Sequence, residues 1–350
     1  MRFASLSPIL LHTRASLPTL SAPLLPGTLS LAESSRGLYE IHSCTHASPE
    51  RIIVVVTGNP GLPSFYAGFA ASLAESLKAE VAIVGLANHI SWPSVVAYKQ
   101  GRRRKWFGSE RWRSLYALDD QLDHLQTAVE PYARDAASRN LPLVLCGHSI
   151  GAWLVVQLLA AAASKRSSEL YSPERLQSVL LLMPFLENNM ADPKFKSKHD
   201  ALIRFGRWLI PVIARAAGSL RRAPASLRRK LLASQVGGMD AEYVSLVEDG
   251  MLHKGTIHNY LYLARTEMRR LAPSFESMPS ELSGLVDAGR VRALYVDEGD
   301  EWAPVSMERR LSAMGVRTTV ISHEEARHAF SCNASDTKSV SAWVAGELRV

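Results

Sequence analysis

The 350-residue sequence is poor in cysteine, with only Cys44, Cys146 and Cys332, which are widely spaced. An odd number at this spacing excludes a disulfide framework, a zinc knuckle and a CxxC redox site, and it favours a reducing compartment. The sequence also lacks an unbroken apolar run of the length that a membrane-spanning helix needs, because prolines interrupt residues 15–32 and Gly147-His148 divides residues 141–163. With 47% apolar and 21% charged residues, the chain has the composition of a globular protein with a sizeable core.

Acidic residues are missing from the first 32 positions, which do contain Arg2, Arg14 and many serines and threonines. This composition is typical of an organelle transit peptide, and an unprocessed disordered terminus is the alternative. The sequence predicts that residues 1–36 form a flexible N-terminal extension. Over the whole chain 40 basic residues face 33 acidic ones, so an anionic partner such as nucleic acid or a lipid surface has to be considered.

Strand and helix patterns alternate along the chain. Residues 51–56 form a continuous β-branched run, which is typical of a strand buried on both faces of a parallel sheet. Further strands are predicted over residues 38–41, 80–86, 141–146, 176–183, 291–296 and 316–321, and helices over 65–78, 118–136, 151–163 and 339–348. This alternation predicts an α/β fold, a mostly parallel sheet with helices on both faces. We expect residues 37–183 and 290–350 to form its two parts, and residues 184–289 to form a mainly helical cap inserted between them.

The motif Gly147-His148-Ser149-Ile150-Gly151 lies between a predicted strand and a predicted helix. This is the setting of a G-x-S-x-G nucleophile elbow, in which small flanking residues permit a tight turn that presents the serine at the carboxyl end of the sheet. Ser149 is therefore the candidate nucleophile. The alternative is an ordinary strand-to-helix turn that contains a serine.

A nucleophilic serine needs a base and an acid that orients the base, and in this fold they follow in the order serine, acid, histidine. Acids follow the strand at 291–296, and Asp297 and Asp300 are among them. After the next strand come His323 and His328, of which His328 follows the longer loop and is the preferred base. His323 is expected to be a solvated loop residue.

An oxyanion hole requires two backbone N–H donors near the serine. Ile150, which follows the serine, is the first candidate. Asn59 is the second, because Pro60 in the same turn has no N–H to donate. This chemistry needs no metal ion and no organic cofactor, and none is expected.

These motifs together resemble those of the lipid droplet-associated hydrolase family of the α/β-hydrolase superfamily. The resemblance extends over about residues 50–332. It rests on Gly58-Asn59-Pro60-Gly61 with Phe65-Tyr66, on Gln121 with His124, on Gly147-His148-Ser149-Ile150-Gly151-Ala152, on Asp300 with Trp302 and Pro304, and on His328-Ala329-Phe330.

The resemblance implies that Ser149 is the nucleophile, Asp300 the acid and His328 the base. Asp297 replaces a glycine that is usual in the family's acid loop, so it remains a rival acid. Trp302 and Trp92 are expected either to border an acyl pocket or to belong to the core. The resemblance further implies action on neutral lipid esters, sterol esters among them, at the surface of lipid droplets and the endoplasmic reticulum. Import into an organelle through the N-terminal extension is the alternative location.

The cap contains a basic segment without any acid, residues 201–239. Its basic residues are interspersed with Phe205, Trp208, Leu209 and other large apolar residues, which favours contact with a lipid droplet or membrane surface. A lid with merely solvated arginines is the alternative, and nucleic-acid binding is disfavoured because no recognition fold accompanies the charge. The basic residues are Arg204, Arg207, Arg215, Arg221, Arg222, Arg228, Arg229 and Lys230.

The sequence thus predicts a serine hydrolase that cleaves carboxylic esters of neutral lipids through an acyl-enzyme. Its expected partners are the lipid ester and the lipid surface, with no nucleic acid and no obligate protein partner. Two alternatives remain: acyl transfer to an alcohol, and a weakly catalytic protein that shapes or tethers droplets.

Overall fold

The computed structural model describes residues 27–34, 36–91, 93–94, 96, 114–163, 171, 174–228, 239–297 and 299–349. The strands in this part of the chain form one sheet in the order β1-β2-β4-β3-β5-β6-β7-β8. β2 pairs with β1 and β4 in antiparallel orientation, and the other neighbours are parallel. The strands are β1 (Thr28–Glu33), β2 (Leu38–Thr45), β3 (Arg51–Val56), β4 (Ala79–Val84), β5 (Leu143–His148), β6 (Leu176–Leu182), β7 (Val291–Val296) and β8 (Arg317–Ile321).

Helices cover both faces of this sheet, as the near-complete burial of its central strands requires. β3 and β5 are buried almost throughout, which explains why their sequences carry an apolar run in place of an alternating pattern. The α-helices whose bounds lie within the described residues are α1 (Ala67–Leu77), α2 (Leu118–Ser138), α3 (Ile150–Ala163), α4 (Pro193–Leu220), α5 (Ala241–Leu246), α6 (Lys254–Arg270), α7 (Ser283–Asp287), α8 (Val305–Ala313) and α9 (Ala334–Arg349).

Helices α4 to α7 lie between β6 and β7 in the chain, within the segment predicted to be a cap. α4 begins at the N-cap Asp192, whose side chain accepts hydrogen bonds from the backbone N–H groups of Lys194 and Phe195. α4 and α6 pack against each other, whereas the short 3₁₀ turn Ser280–Leu282 packs against α3 of the core. The final residues of the predicted cap therefore contact a helix that packs on the sheet.

The prediction of a flexible extension over residues 1–36 is wrong for its last part. β1 pairs with β2 along its whole length, from Thr28 opposite Ser43 to Glu33 opposite Leu38. As an edge strand it is at most half buried, so its sequence lacks the apolar run that reveals the central strands. Residues 1–26 lie outside the described part of the chain. None of the helices that the structure describes has the length and apolar character needed to cross a membrane.

Candidate active site

The turn between β5 and α3 carries Ser149 in a backbone conformation that few residues adopt, with φ of +54°. Both flanking glycines are needed for close packing. A Cβ on Gly147 would lie 2.5 Å from Ala152 Cα, and one on Gly151 would lie 2.4 Å from the carbonyl oxygen of Val56. The local geometry therefore agrees with the elbow that the G-x-S-x-G spacing predicts.

Ser149, His328 and Asp300 form a continuous hydrogen-bonded chain at the carboxyl edge of the sheet. The Ser149 hydroxyl lies 2.9 Å from His328 Nε2, and His328 Nδ1 lies 2.7 Å from Asp300 Oδ2. The imidazole can thus accept the serine proton through Nε2 while it donates its Nδ1 hydrogen to the carboxylate. This is the arrangement that a serine nucleophile and its base require.

The Asp300 carboxyl group is almost inaccessible, with 3% of its side chain exposed. Burial alone would raise its pKa, but the charge and hydrogen bond of His328 and the backbone N–H groups of Ala303 and Trp302 outweigh burial, so the net pKa is lowered. These two N–H groups donate to Oδ1 and leave Oδ2 for the histidine. Asp300 is therefore held as a carboxylate in a fixed orientation.

The rival acid Asp297 lies beside the other histidine of this region. Its Oδ1 accepts a hydrogen bond of 2.8 Å from the backbone N–H of His323 and lies 3.4 Å from His323 Nδ1. The side chain of His323 is half exposed, as expected for a solvated loop residue. The structure therefore brings Asp300 to His328 and Asp297 to His323.

The turn after β3 lies directly against the serine. A Cβ on Gly58 would approach the Ser149 Cβ to 2.9 Å, so this turn can come close to the elbow only because it has a glycine there. Asn59 follows Gly58 in this turn, and Ile150 begins α3 immediately after Ser149. Their assignment as oxyanion donors stays a prediction.

The side chain of Asn59 is bound by α6. Its Nδ2 donates to the carbonyl oxygen of Tyr260 and to Glu267 Oε1, both at 3.1 Å and both on α6. Sequence reasoning missed these contacts, since nothing in the local pattern of α6 indicates that it reaches a turn some 200 residues earlier.

A second missed connection holds the histidine loop. The Tyr66 hydroxyl accepts from the Gly58 N–H at 3.1 Å and lies 2.6 Å from His148 Nδ1, and His148 Nε2 lies 2.9 Å from the carbonyl oxygen of His328. Burial lowers the pKa of His148 to about 3, with the charge of His328 as a further cause, so its ring is neutral. Nε2–H therefore donates to the His328 carbonyl, and Nδ1 accepts from Tyr66. Phe330 closes the cluster, with its ring centroid 5.0 Å from that of His148.

The remaining motif residues bind the backbone or pack. Gln121 pairs with the N–H and the carbonyl oxygen of Ala87 at 2.7 and 3.2 Å, and His124 Nε2 lies 3.0 Å from the Gly85 carbonyl oxygen, so α2 holds the chain that leaves β4. Trp302 stacks edge-on against Phe185 and Phe195, with centroids 5.4 and 5.3 Å apart. Trp92 lies outside the described residues.

Comparison with solved structures establishes the fold. A haloalkane dehalogenase from Agrobacterium tumefaciens matches with a TM-score of 0.59 and 13% identity over 93% of this chain and 97% of that chain. A soluble variant of monoglyceride lipase from Saccharomyces cerevisiae matches with a TM-score of 0.54 and 12% identity over 94% and 97%. The structural neighbours are α/β-hydrolases, and the predicted fold is confirmed.

Sequence comparison identifies the family. The model of the lipid-droplet associated hydrolase family matches residues 49–331, most of the chain, and the chain belongs to this family. The Drosophila melanogaster lipid droplet-associated hydrolase is 32% identical over 145 residues, 41% of each chain. The Gallus gallus relative of the same name is 25% identical over 73% of this chain and 72% of its own length. The predicted resemblance is confirmed, and membership supports a hydrolase.

Proposed function

We propose that this protein is a serine hydrolase that cleaves the carboxylic esters of neutral lipids at a lipid droplet surface. The observation that carries the proposal is the hydrogen-bonded chain from the Ser149 hydroxyl through His328 to the buried Asp300 carboxylate. The family of the chain and the names of its relatives support a lipid ester as the substrate and a lipid droplet as its location.

The reaction proceeds through an acyl-enzyme. Ser149 Oγ attacks the ester carbonyl carbon while His328 Nε2 accepts the serine proton, and Asp300 stabilises the resulting imidazolium. The backbone N–H groups of Ile150 and Asn59 stabilise the negative charge that develops on the carbonyl oxygen. His328 then gives the proton to the departing alcohol. In the second half, a water molecule loses a proton to His328 and attacks the acyl carbon. His328 returns this proton to Ser149 Oγ as the bond between Oγ and the acyl carbon breaks, and the fatty acid and free Ser149 are released.

The outer face of α4 is the proposed contact with lipid. Trp208 is 67% exposed, Phe205 60% and Val212 59%, and Leu209 and Ile213 complete the same face at about 40%. Soluble proteins rarely expose so many large apolar side chains together. Their spacing of three and four residues places them along one side of the helix, as in helices that lie in the plane of a lipid interface.

Basic side chains flank this apolar face, but fewer than the sequence suggests. Arg204, Arg207, Arg215 and Arg222 are exposed. Arg228 was expected among them, and the structure contradicts this, since its guanidinium donates to Glu248 Oε1 at 2.8 Å and to the carbonyl oxygen of Ala223 at 2.7 Å. Arg229 and Lys230 lie outside the described residues. The exposed arginines would attract anionic headgroups by about 1 kcal/mol each near the surface.

The exposed face of α4 also supports a second candidate function, a protein that shapes or tethers droplets with little catalysis. Restoration of the droplet phenotype by Ser149→Ala in cells that lack the protein would favour this candidate over the hydrolase.

A panel of lipid esters, including sterol and glycerol esters, dispersed at an oil–water interface tests the proposed hydrolase. The purified protein should release fatty acid from at least one neutral ester, and Ser149→Ala should reduce that release to the uncatalysed rate. Fatty acid release that is equal in the parent and in Ser149→Ala would refute the proposal. Adding an alcohol acceptor to the same assay distinguishes hydrolysis from acyl transfer.

A further inference from the structure

Glu267 is a carboxyl group in the cap that the proposed reaction does not use. It lies on the side of α6 that faces the turn after β3, with only 3% of the residue exposed, and its Oε1 accepts the 3.1 Å hydrogen bond from Asn59 Nδ2. Buried acidic residues are normally paired with a cation. Within the described residues, Glu267 forms no ion pair.

Charged side chains of α6 and of the segment after β6 that it contacts have other partners. Arg265 on the same helix donates to the carbonyl oxygen of Leu202 on α4, and Arg270 pairs with Asp119 on α2. Glu187, in the segment after β6 that contacts the end of α6, pairs with Arg310. The Tyr260 phenol, one further neighbour, has its pKa raised by burial and by Glu267.

Without a cation beside it, Glu267 favours its neutral form. Burial raises its pKa to about 8, and the hydrogen bond from Asn59 opposes this only in part. A carboxyl group of this kind is protonated at neutral pH and ionises as the solution becomes mildly alkaline.

Glu267 contacts Asn59, the residue predicted to donate a hydrogen bond to the oxyanion. Both hydrogens of Asn59 Nδ2 are used by α6, one by Glu267 and one by the Tyr260 carbonyl oxygen. Asn59 Oδ1 is buried without a hydrogen-bond partner in the described structure, so the side-chain amide is held by its two contacts with α6. The cap therefore fixes the position of the turn that lies against Ser149.

We propose that Glu267 is a positioning residue of the oxyanion hole that must be protonated for the hole to function. In its neutral form it orients Asn59 without adding charge. Once ionised, it places a negative charge beside the site where the negative oxyanion forms, and two like charges in a poorly solvated site repel each other strongly. The inference rests on the proposed function, because it assumes that Ser149 generates an oxyanion there.

Glu267→Gln separates this role from a merely structural one. Glutamine retains the oxygen that accepts from Asn59 and cannot ionise. The ratio of its kcat/KM to that of the parent, measured on a small water-soluble ester, should rise about tenfold between pH 7 and pH 9, because a group of pKa about 8 loses nearly tenfold of its protonated form over that interval. Glu267→Ala, which also removes the hydrogen bond, should lower kcat more than it changes KM.

Glu40→Gln is the matched control. Glu40 is another fully buried carboxyl group with a raised pKa, mainly because of burial, but it accepts from Ser91 and not from Asn59. The ratio of kcat/KM in Glu40→Gln to kcat/KM in the parent should stay constant from pH 7 to pH 9. A constant ratio for Glu267→Gln, or a rise as large for Glu40→Gln, would overturn the inference.

An infrared difference spectrum of parent minus Glu267→Gln gives a second readout that does not depend on activity. It should contain the C=O band of a protonated carboxyl group at pH 7, and this band should fall to about half its intensity near pH 8 and to about a tenth by pH 9. Its absence at pH 7 would also overturn the inference. Failure of the proposed function is recognised separately, as ester hydrolysis that persists in Ser149→Ala.

Discussion

The carboxyl edge of the sheet and the outer face of α4 are built in opposite ways. At the edge, Ser149, His328 and Asp300 are largely buried and each polar group has a defined partner. On α4, Phe205 and Trp208 expose most of their surface. Bond breaking needs polar groups that are fixed before the substrate arrives, whereas contact with lipid needs apolar surface that no other part of the protein covers. Substitutions in the two regions should therefore affect different measurements.

Asp300→Asn should have the largest effect among the predictions that follow. An amide cannot stabilise the imidazolium and favours the wrong histidine tautomer, which in serine proteases lowers kcat about 10⁴-fold. The measurement is kcat on a soluble ester. Asp297→Asn is the matched control. It should lower kcat only slightly, because Asp297 contacts His323. A larger loss of kcat in Asp297→Asn than in Asp300→Asn would show that Asp300 is not the acid.

Tyr66→Phe tests whether the polar chain at the edge positions His328. The substitution removes the partner of both the Gly58 N–H and His148 Nδ1, and an unpaired buried polar group costs about 1–3 kcal/mol. If this free-energy cost raises the activation barrier, kcat should fall about tenfold or more. KM should change little.

Two substitutions at His148 refine this test. A glutamine amide can reach the His328 carbonyl oxygen as Nε2 does, whereas the shorter asparagine amide matches the position of Nδ1. His148→Gln should therefore retain more kcat than His148→Asn. Equal kcat for the two variants would indicate that His148 acts only through packing.

Substitutions on α4 should have the smallest effect on soluble-ester hydrolysis. Trp208→Ser combined with Leu209→Ser should weaken binding to lipid droplets at all salt concentrations, because the loss is of apolar area. Val320→Ser is the control, since Val320 is 41% exposed but lies on β8. Flotation of the variants with droplets measures binding, and binding equal to that of the parent would leave α4 as only a lid.

The exposed arginines should act differently from the apolar side chains. Replacement of Arg204, Arg207, Arg215 and Arg222 by glutamine should weaken binding mainly at low salt and on anionic vesicles, because salt screens exposed charges. Arg309→Gln, an exposed basic residue on α8, is the control. Equal losses at low and high salt would contradict an electrostatic role.

The elbow could be predicted from the sequence because its residues are adjacent in the chain and because glycine at both flanking positions indicates close packing. The choice of Asp300 over Asp297 required the family motifs, since both acids follow β7, whereas His328 could be preferred to His323 because it follows the longer loop. Tyr66 with His148, and Asn59 with Glu267, join segments 82 and 208 residues apart, and no local pattern encodes such contacts. β1 was missed for another reason, because a half-buried edge strand resembles a loop in composition.

Labelling with a fluorophosphonate probe, followed by mass spectrometry of the peptides, tests most directly whether Ser149 is the nucleophile that His328 activates. The account predicts a single adduct on Ser149, formed much more slowly in His328→Ala and Asp300→Asn. An adduct on another serine, or labelling of Ser149 at an unchanged rate in His328→Ala, would contradict it.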